Sequence, residues 1–277
     1  YGPFVFSNCI MGQGTGNALS IDQRKVNAEM WKATADYHTH TQYSFGGGNI
    51  LENARAAREA GLEVLGIADH GPANWGHFGM TKTATFERII AETREVEREI
   101  SGLRILAGVE ADIVSFDGEL DVSLSMQRKL DQVLAGFHLT VFPKKLGEGL
   151  KFATQRLLAD LSPQVRQKAR NDNTKAIVEA VFRNEIDIIT HPGLHISIDT
   201  LELARACAKN DTALEINSKH GAESIEFIKV AAGEGVKFAI GSDAHHPQQV
   251  GKLEPGIKAA QMAGLTVDQI INVVDGD

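Results

Sequence analysis

The chain has 277 residues, 43% hydrophobic and 23% charged, with 36 acidic against 28 basic side chains and a net charge of −8. A chain of this size buries roughly three-quarters of the surface it exposes when unfolded, so a sizeable core is possible. The acidic balance and the lack of a basic stripe argue against a duplex nucleic-acid reader. No apolar run approaches the ~20 residues of a membrane-spanning helix.

Cys9 and Cys207 lie far apart and show no C-x-x-C spacing. A disulfide framework is therefore not expected, and a cytoplasmic setting is. The N-terminus has no charged stretch ahead of an apolar core, so it does not read as a signal peptide. The chain begins at Tyr1 rather than Met, so processing, excision from a longer chain or editing of its start is expected, with nothing to choose among them.

Residues 1–33 stand outside the pattern that follows and read as a leader of unassigned role. Gly12, Gly14 and Gly16 have no strand ahead of them and read as a flexible loop rather than a phosphate cradle. From residue 34 to 277 the pattern is that of a single α/β domain. Strands are expected at Ala35–Tyr37, Glu63–Ala68, Leu103–Val109, Gln132–Phe137, Asp187–Thr190, Ala213–Ile216 and Val236–Ile240. Helical patterns fall at Ile50–Ala60, Thr85–Ile100, Thr174–Arg183, Leu201–Lys209 and Glu223–Ala232. Phe142–Asp172 reads as an inserted helical excursion, with helices at Phe152–Asp160 and Val165–Arg170. Apolar strands alternating with helices indicate a parallel sheet covered on both faces. Seven such units fit a closed (β/α)7 barrel better than two domains.

The histidines sharpen this reading. His38 and His40 follow the first apolar run, His70 the second, Glu110 ends the third, His138 the fourth, His191 the fifth, and Asp243 with His245 the seventh. The sixth ends at Asn217 without a histidine or acid. In a parallel barrel the C-terminal strand ends converge on one face, where active sites sit. Each residue alone has an ordinary explanation: a capped loop, a salt bridge, a buried ring with satisfied nitrogens. Their joint placement at six of seven strand ends does not. Imidazole and carboxylate suit zinc, iron and manganese. Six imidazoles and two acids exceed what one ion needs, so two or three divalent ions (Zn, Mn or Fe) are expected. His195, His220, His246 and His77 fall in loops; His77 and His220 are candidates to contact substrate. Lys144, Lys145 and Lys219 follow strands four and six, where each reads first as a solvated surface charge.

At these residues the sequence resembles the PHP (polymerase and histidinol phosphatase) superfamily of metal-dependent phosphoesterases. The matching text is Asp36-Tyr-His-Thr-His-Thr, Ala68-Asp-His-Gly-Pro, Gly108-Val-Glu, Ala135-Gly-Phe-His, Thr190-His-Pro-Gly and Gly241-Ser-Asp-Ala-His, in order. Within it the chain looks most like the stand-alone YcdX-like phosphatases, which share the Gly-Pro after His70 and the Asn-Thr near Asn173. The resemblance implies a distorted, TIM-like (β/α)7 barrel with up to three ions. One would be held by His38, His40, Glu110 and Asp243, and a second by Glu110 as bridging ligand with His138 and His191. A third would rest on His70 and His245, completed by a residue shortly after the first motif. There the chain departs from the family, which commonly places an acid where this sequence has Phe45, followed by Gly46, Gly47 and Gly48.

The expected chemistry is hydrolysis of a phosphate monoester of a small metabolite. Hydroxide bridging the ions attacks phosphorus, and Glu110, Asp243 and His245 form the catalytic set. Competing readings are a barrel that binds metal or phosphate without turnover, which Phe45 favours, exonuclease action, and metal-dependent amide hydrolysis. A nucleic-acid partner is not expected, nor a membrane one. Substrate identity and oligomeric state are not encoded legibly.

Overall fold

A computed structural model describes residues 31–74, 83–138, 141, 162–194 and 196–276. The strands are β1 (Trp31–Ala33), β2 (Ala35–Thr39), β3 (Val64–Ile67), β4 (Arg104–Asp112), β5 (Gln132–Gly136), β6 (Ile188–Ile189), β7 (Ala213–Asn217), β8 (Phe238–Gly241) and β9 (Val273–Asp275). The helices are α1 (Ile50–Glu59), α2 (Thr83–Glu99), a single turn α3 (Leu124–Gln127), α4 (Pro163–Arg183), α5 (Thr200–Lys209), α6 (Ile225–Ala232) and α7 (Glu254–Ala263). Strands β2 to β8 form one seven-stranded parallel sheet in sequence order. All seven strands expected from the sequence are present.

Closure between β2 and β8 rests on few groups. Thr39 bridges Ala244, and the His40 N–H donates to the Ala244 carbonyl at 2.8 Å. Deeper in the seam, buried Asn272 accepts from the Ile240 N–H at 2.9 Å and donates to the carbonyls of Ala35 (2.7 Å) and Ile240 (2.8 Å). Asp36 accepts from the N–H groups of Ser242 and Gly251, and burial lifts its pKa despite these bonds.

Strand alternation sorts the side chains into two sets. One set (Val109, Val133, Ile189, Leu214 and Phe238 among it) packs outward under the helices as the main core. The other points into the barrel, where Ala68, Leu134, Ile188, Ala213 and Ala239 fill a narrow interior. Glu110 and Glu215 share that inward face, which carries charge to the C-terminal mouth.

Four features differ from the sequence reading. Trp31–Ala33 is a strand paired antiparallel with β9, so ordered structure reaches into the stretch read as leader. β4 continues to Asp112, two residues past Glu110. Helix α4 is continuous from Pro163, where an excursion ending at Asp172 was expected. Asn171, Asp172 and Asn173 are poor helix formers that interrupt its pattern, yet Asn173 is buried and donates to the Ser197 carbonyl at 3.1 Å. Helix α7, which was not among the expected helical patterns, begins Glu254-Pro255-Gly256. Proline is tolerated in a first turn, and Gly256 brings the helix so close that a Cβ there would lie 2.5 Å from Ile240 Cγ2. The glycine cluster at 12–16 and the helix expected at Phe152–Asp160 lie outside the described residues.

Asn272→Leu removes three seam hydrogen bonds while leaving the Ala35 and Ile240 backbone groups buried. It is predicted to cost about 2–4 kcal/mol in urea unfolding, with little change in slope.

Candidate metal centre

The eight residues singled out from the sequence meet at the C-terminal mouth of the barrel. His38, His40, His70 and Glu110 are buried, whereas His138, His191, Asp243 and His245 rim the opening. Their hub is the Glu110 carboxylate, whose side chain is 1% exposed. Its Oε2 faces His70 Nδ1 (3.0 Å), His38 Nε2 (3.3 Å) and His40 Nε2 (3.7 Å). Its Oε1 faces His191 Nε2 (2.9 Å) and His138 Nε2 (3.3 Å). Asp243 Oδ1 lies 3.4 Å from His40 Nε2 and 3.3 Å from His245 Nδ1. The two carboxylate oxygens of Glu110 therefore address two separate sets of imidazoles, the arrangement of a bridging ligand.

Three groups of ligand atoms lie close enough to hold a metal ion: His38, His40 and Glu110; His70, Glu110 and His138; and His40, His70 and His245. His38 Nε2 and His40 Nε2 face each other at 3.1 Å. Two ring nitrogens pointed together beside two carboxylates, all desolvated, are a poor hydrogen-bonding arrangement and a good chelating one. This donor set fits divalent metal.

Carboxylates behind the rings fix their orientation. Glu215 Oε1 lies 2.6 Å from His38 Nδ1, and its Oε2 accepts from the His191 N–H at 2.7 Å. Asp112 Oδ1 lies 2.5 Å from His138 Nδ1. With a proton on each Nδ1, both rings turn a bare Nε2 toward the centre, as metal-bound imidazoles generally require. The sequence reading overlooked both acids. Strand alternation carried the signal: Glu215 stands two residues before Asn217, and Asp112 two after Glu110, on the same strand faces. Asn217, which appeared chemically empty, donates to Asp243 Oδ2 at 3.2 Å. Lys219, read as surface charge, reaches the Asp243 carbonyl and lies 3.2 Å from His245 Nδ1. Behind Asp112, burial and the Asp112 charge push Asp121 up to about 7.

Backbone strain is confined to a few places. Among described residues, the non-glycine positions at positive φ are His191 (28°), Asp211 (54°) and Asp243 (52°). Two of the three are mouth residues. Such conformations persist only where surrounding structure enforces them, and here the Glu215 bond to the His191 N–H and the Asn217 bond to Asp243 do so.

The third expected ion site takes a different form. Phe45 is 52% exposed, with its ring 6.1 Å from that of His245. A Cβ at Gly46 would fall 2.7 Å from the His40 backbone, and one at Gly47 would fall 2.2 Å from His246 Nδ1. The loop thus passes too close to the His40 backbone for a side chain at Gly46, and the ring of His246, distant in sequence, occupies the space beside Gly47. His40, not a residue from this loop, completes the group with His70 and His245. His220 lies 3.7 Å from Glu223; His77, His195, Lys144 and Lys145 lie outside the described residues.

Charge balance follows from this packing. Burial opposes charge on His38, but Glu215, Glu110 and Asp243 raise its pKa well above the ordinary 6.5. His138 is likewise raised, by Glu110 and Asp112 against burial. His40 is pushed well down by burial and by His70. Burial would raise Glu110, but His138 and His38 hold it well below the usual carboxylate range. Asp243 is also depressed, against burial, by His38 and His40.

A sequence profile described as the PHP domain matches residues 36–219. The chain is 33% identical over 256 residues to a probable phosphatase of Thermoanaerobacter sp. (strain X514), covering 87% of this chain and 91% of that one. It is 30% identical to a probable phosphatase of Acetivibrio thermocellus, with the same coverage. Its fold matches histidinol phosphate phosphatase of Lactococcus lactis subsp. lactis, solved with zinc, L-histidinol and phosphate, at a TM-score of 0.54 and 16% identity, over 84% of this chain and 95% of that one. The fold and mouth geometry define a metal-site α/β barrel of the phosphoesterase type, and the chain belongs to the PHP domain family.

Glu215→Gln removes the negative partner of His38 without creating a cavity, and is predicted to weaken metal affinity about 10–100-fold in a chelator competition. In metal-free protein the raised His38 and His138 stabilise the fold in full below about pH 6.5, and that contribution is lost as pH rises through their folded-state values. The depressed Glu110 and Asp243 act oppositely, contributing above the ordinary carboxylate range and losing it as pH falls. The lowered His40 works against this only below about pH 6.5, where burial keeps it uncharged at a cost. The thermal midpoint of metal-free protein should therefore fall on going from about pH 7.5 to pH 9, and added Zn²⁺ should restore more of it at pH 9.

Proposed function

We propose that this protein is a metal-dependent phosphatase that hydrolyses monoesters of small phosphorylated metabolites, with two or three divalent ions (Zn, Mn or Fe) at the mouth. The observation that carries the proposal is Glu110, with each carboxylate oxygen facing its own set of imidazoles. Family membership and the probable-phosphatase relatives support the same reaction.

His38, His40 and Glu110, with Asp243 beside them, would hold one ion, Glu110 with His138 and His191 a second, and His70 with His245 a third, the ring of His40 packing against both. When bound, the ions acidify a water and neutralise phosphate oxygens. The chain's own residues do the rest. Glu215 and Asp112 keep protons on the Nδ1 atoms of His38 and His138, so both Nε2 atoms stay available. The buried side of the mouth excludes bulk water, which strengthens every charge interaction there. The Lys219 ammonium, 3.4 Å from Asp243 Oδ2 at the open rim, sits where an incoming phosphate dianion needs a cation. The net charge of −8 otherwise repels such a substrate.

Purified protein should release phosphate from p-nitrophenyl phosphate in a Mn²⁺- or Zn²⁺-dependent manner and lose that turnover to EDTA. Asp243→Asn and His138→Ala should each lower kcat by more than about 100-fold, beyond the effect typical of removing an outer partner. Lys219→Ala should act mainly on KM, raising it about tenfold. Bound metal with no turnover of any phosphate ester would overturn the proposal.

A further inference from the structure

Beside the metal centre lies a second feature that the phosphatase reading does not use. A pocket of about 530 Å³ opens between the loop after β6 and the start of α6. Its floor is shared with the centre: His191 and Asn217 line it, and the same two residues contact Glu110 and Asp243 respectively. Its lining sets an apolar group, the half-buried Leu194, Ile196 and Phe227, beside the hydroxyls of Ser197, Thr200 and Ser224. No lysine or arginine is among its described lining residues; its acids are Glu215 and Glu223, and its imidazole besides His191 is that of His220, 3.7 Å from Glu223. Adjoining it through Asn217, the mouth carries Lys219 beside Asp243 and His245.

The two sides therefore suit the two halves of an ester. A phosphoryl group over Glu110 meets the cation on the Lys219 side. The alcohol oxygen then leads away past His191 into the apolar pocket, whose volume is ordinary for a small-ligand site. We infer that this pocket receives the alcohol half of the substrate and selects an apolar or aromatic body bearing no second anionic group. The inference rests on the phosphatase reading and adds the substrate class. A second phosphate would have to enter beside Glu223, where the imidazole of His220 already faces that carboxylate and no lysine or arginine is among the described lining residues, at a large desolvation cost. An apolar body removes surface from water against Phe227 and Ile196.

Two readouts test this. The first is kcat/KM of the Mn²⁺-loaded protein on three monoesters: ethyl phosphate, 3-phenylpropyl phosphate and a hexose bisphosphate. The expected order is phenylpropyl well above ethyl, by about tenfold or more, with the bisphosphate below both. Ser197→Trp places a ring in the pocket from an exposed position whose main-chain bond to Asn173 is untouched. It should cut the phenylpropyl-to-ethyl ratio about tenfold, and Phe227→Ala should move it in the same direction. The second readout needs no turnover: saturation-transfer NMR with 3-phenylpropanol should show ring contact with the wild type and lose it in Ser197→Trp. Melting curves of both variants check that each is folded. A ratio unchanged by both variants, or a preference for the bisphosphate, overturns the pocket assignment and leaves the phosphatase standing. Failure to turn over any of the three esters overturns the phosphatase reading, whereas alcohol contact would still uphold the pocket. Absence of alcohol contact would overturn the pocket.

Discussion

Five imidazoles converge on the one buried carboxylate of Glu110. In water that gathering would disperse, because neutral imidazoles gain nothing by facing one another and protonated ones repel. Inside the barrel it is held by β4, which brings Glu110 to the mouth, and by neighbours that leave few other rotamers. The charge of Glu110 needs positive compensation in a site that water cannot reach. Protons on His38 and His138 supply it in the metal-free protein, and metal ions supply it better without crowding the remaining rings. The depressed Glu110 and raised His38 are two views of that demand.

Around this hub the barrel is arranged so that polar groups on inward faces support one another. Glu215 serves two purposes, holding the His38 ring and bonding the His191 N–H, where the backbone is in the left-handed region. Asn217, two residues on, braces Asp243, the other strained mouth residue. The strain sits at two candidate ligands, and the bonds that maintain it come from β7, the strand with no candidate ligand of its own. β7 thus positions residues on its two neighbouring strands.

The mouth also has two adjoining parts. One, with Lys219, Asp243 and His245, adjoins β8 and the turn after β7. The other, where Leu194, Ile196 and Phe227 give apolar surface beside polar groups, adjoins α6, the loop after β6 and, through His220, the same turn. An ester has the same two-part character, so a single site can hold phosphate by charge and an alcohol by shape without either half competing for the other's groups.

Much of this was legible in the amino-acid order. Alternating apolar runs and helical patterns sufficed for seven parallel strands, because burial on both faces demands such runs whatever the packing details. The ligand-type residues were legible because a parallel barrel places every strand's C-terminal end on one face, so that position in the chain stands for position in space. Glu215 and Asp112 were hidden because an acid inside an apolar strand shows its partner only when the facing ring is in place. Lys219 was hidden because its reach depends on the turn after β7, and helix α4 because Asn173 is stabilised by the distant Ser197 carbonyl. The sequence by itself determined which residue types reach the mouth. Only the tertiary structure decided which imidazole faces which oxygen of Glu110, that His40 joins His70 and His245 where the Phe45 loop offers no ligand, and where an apolar pocket opens. Those are matters of ångström-scale distance between segments far apart in the chain, and no local pattern encodes them.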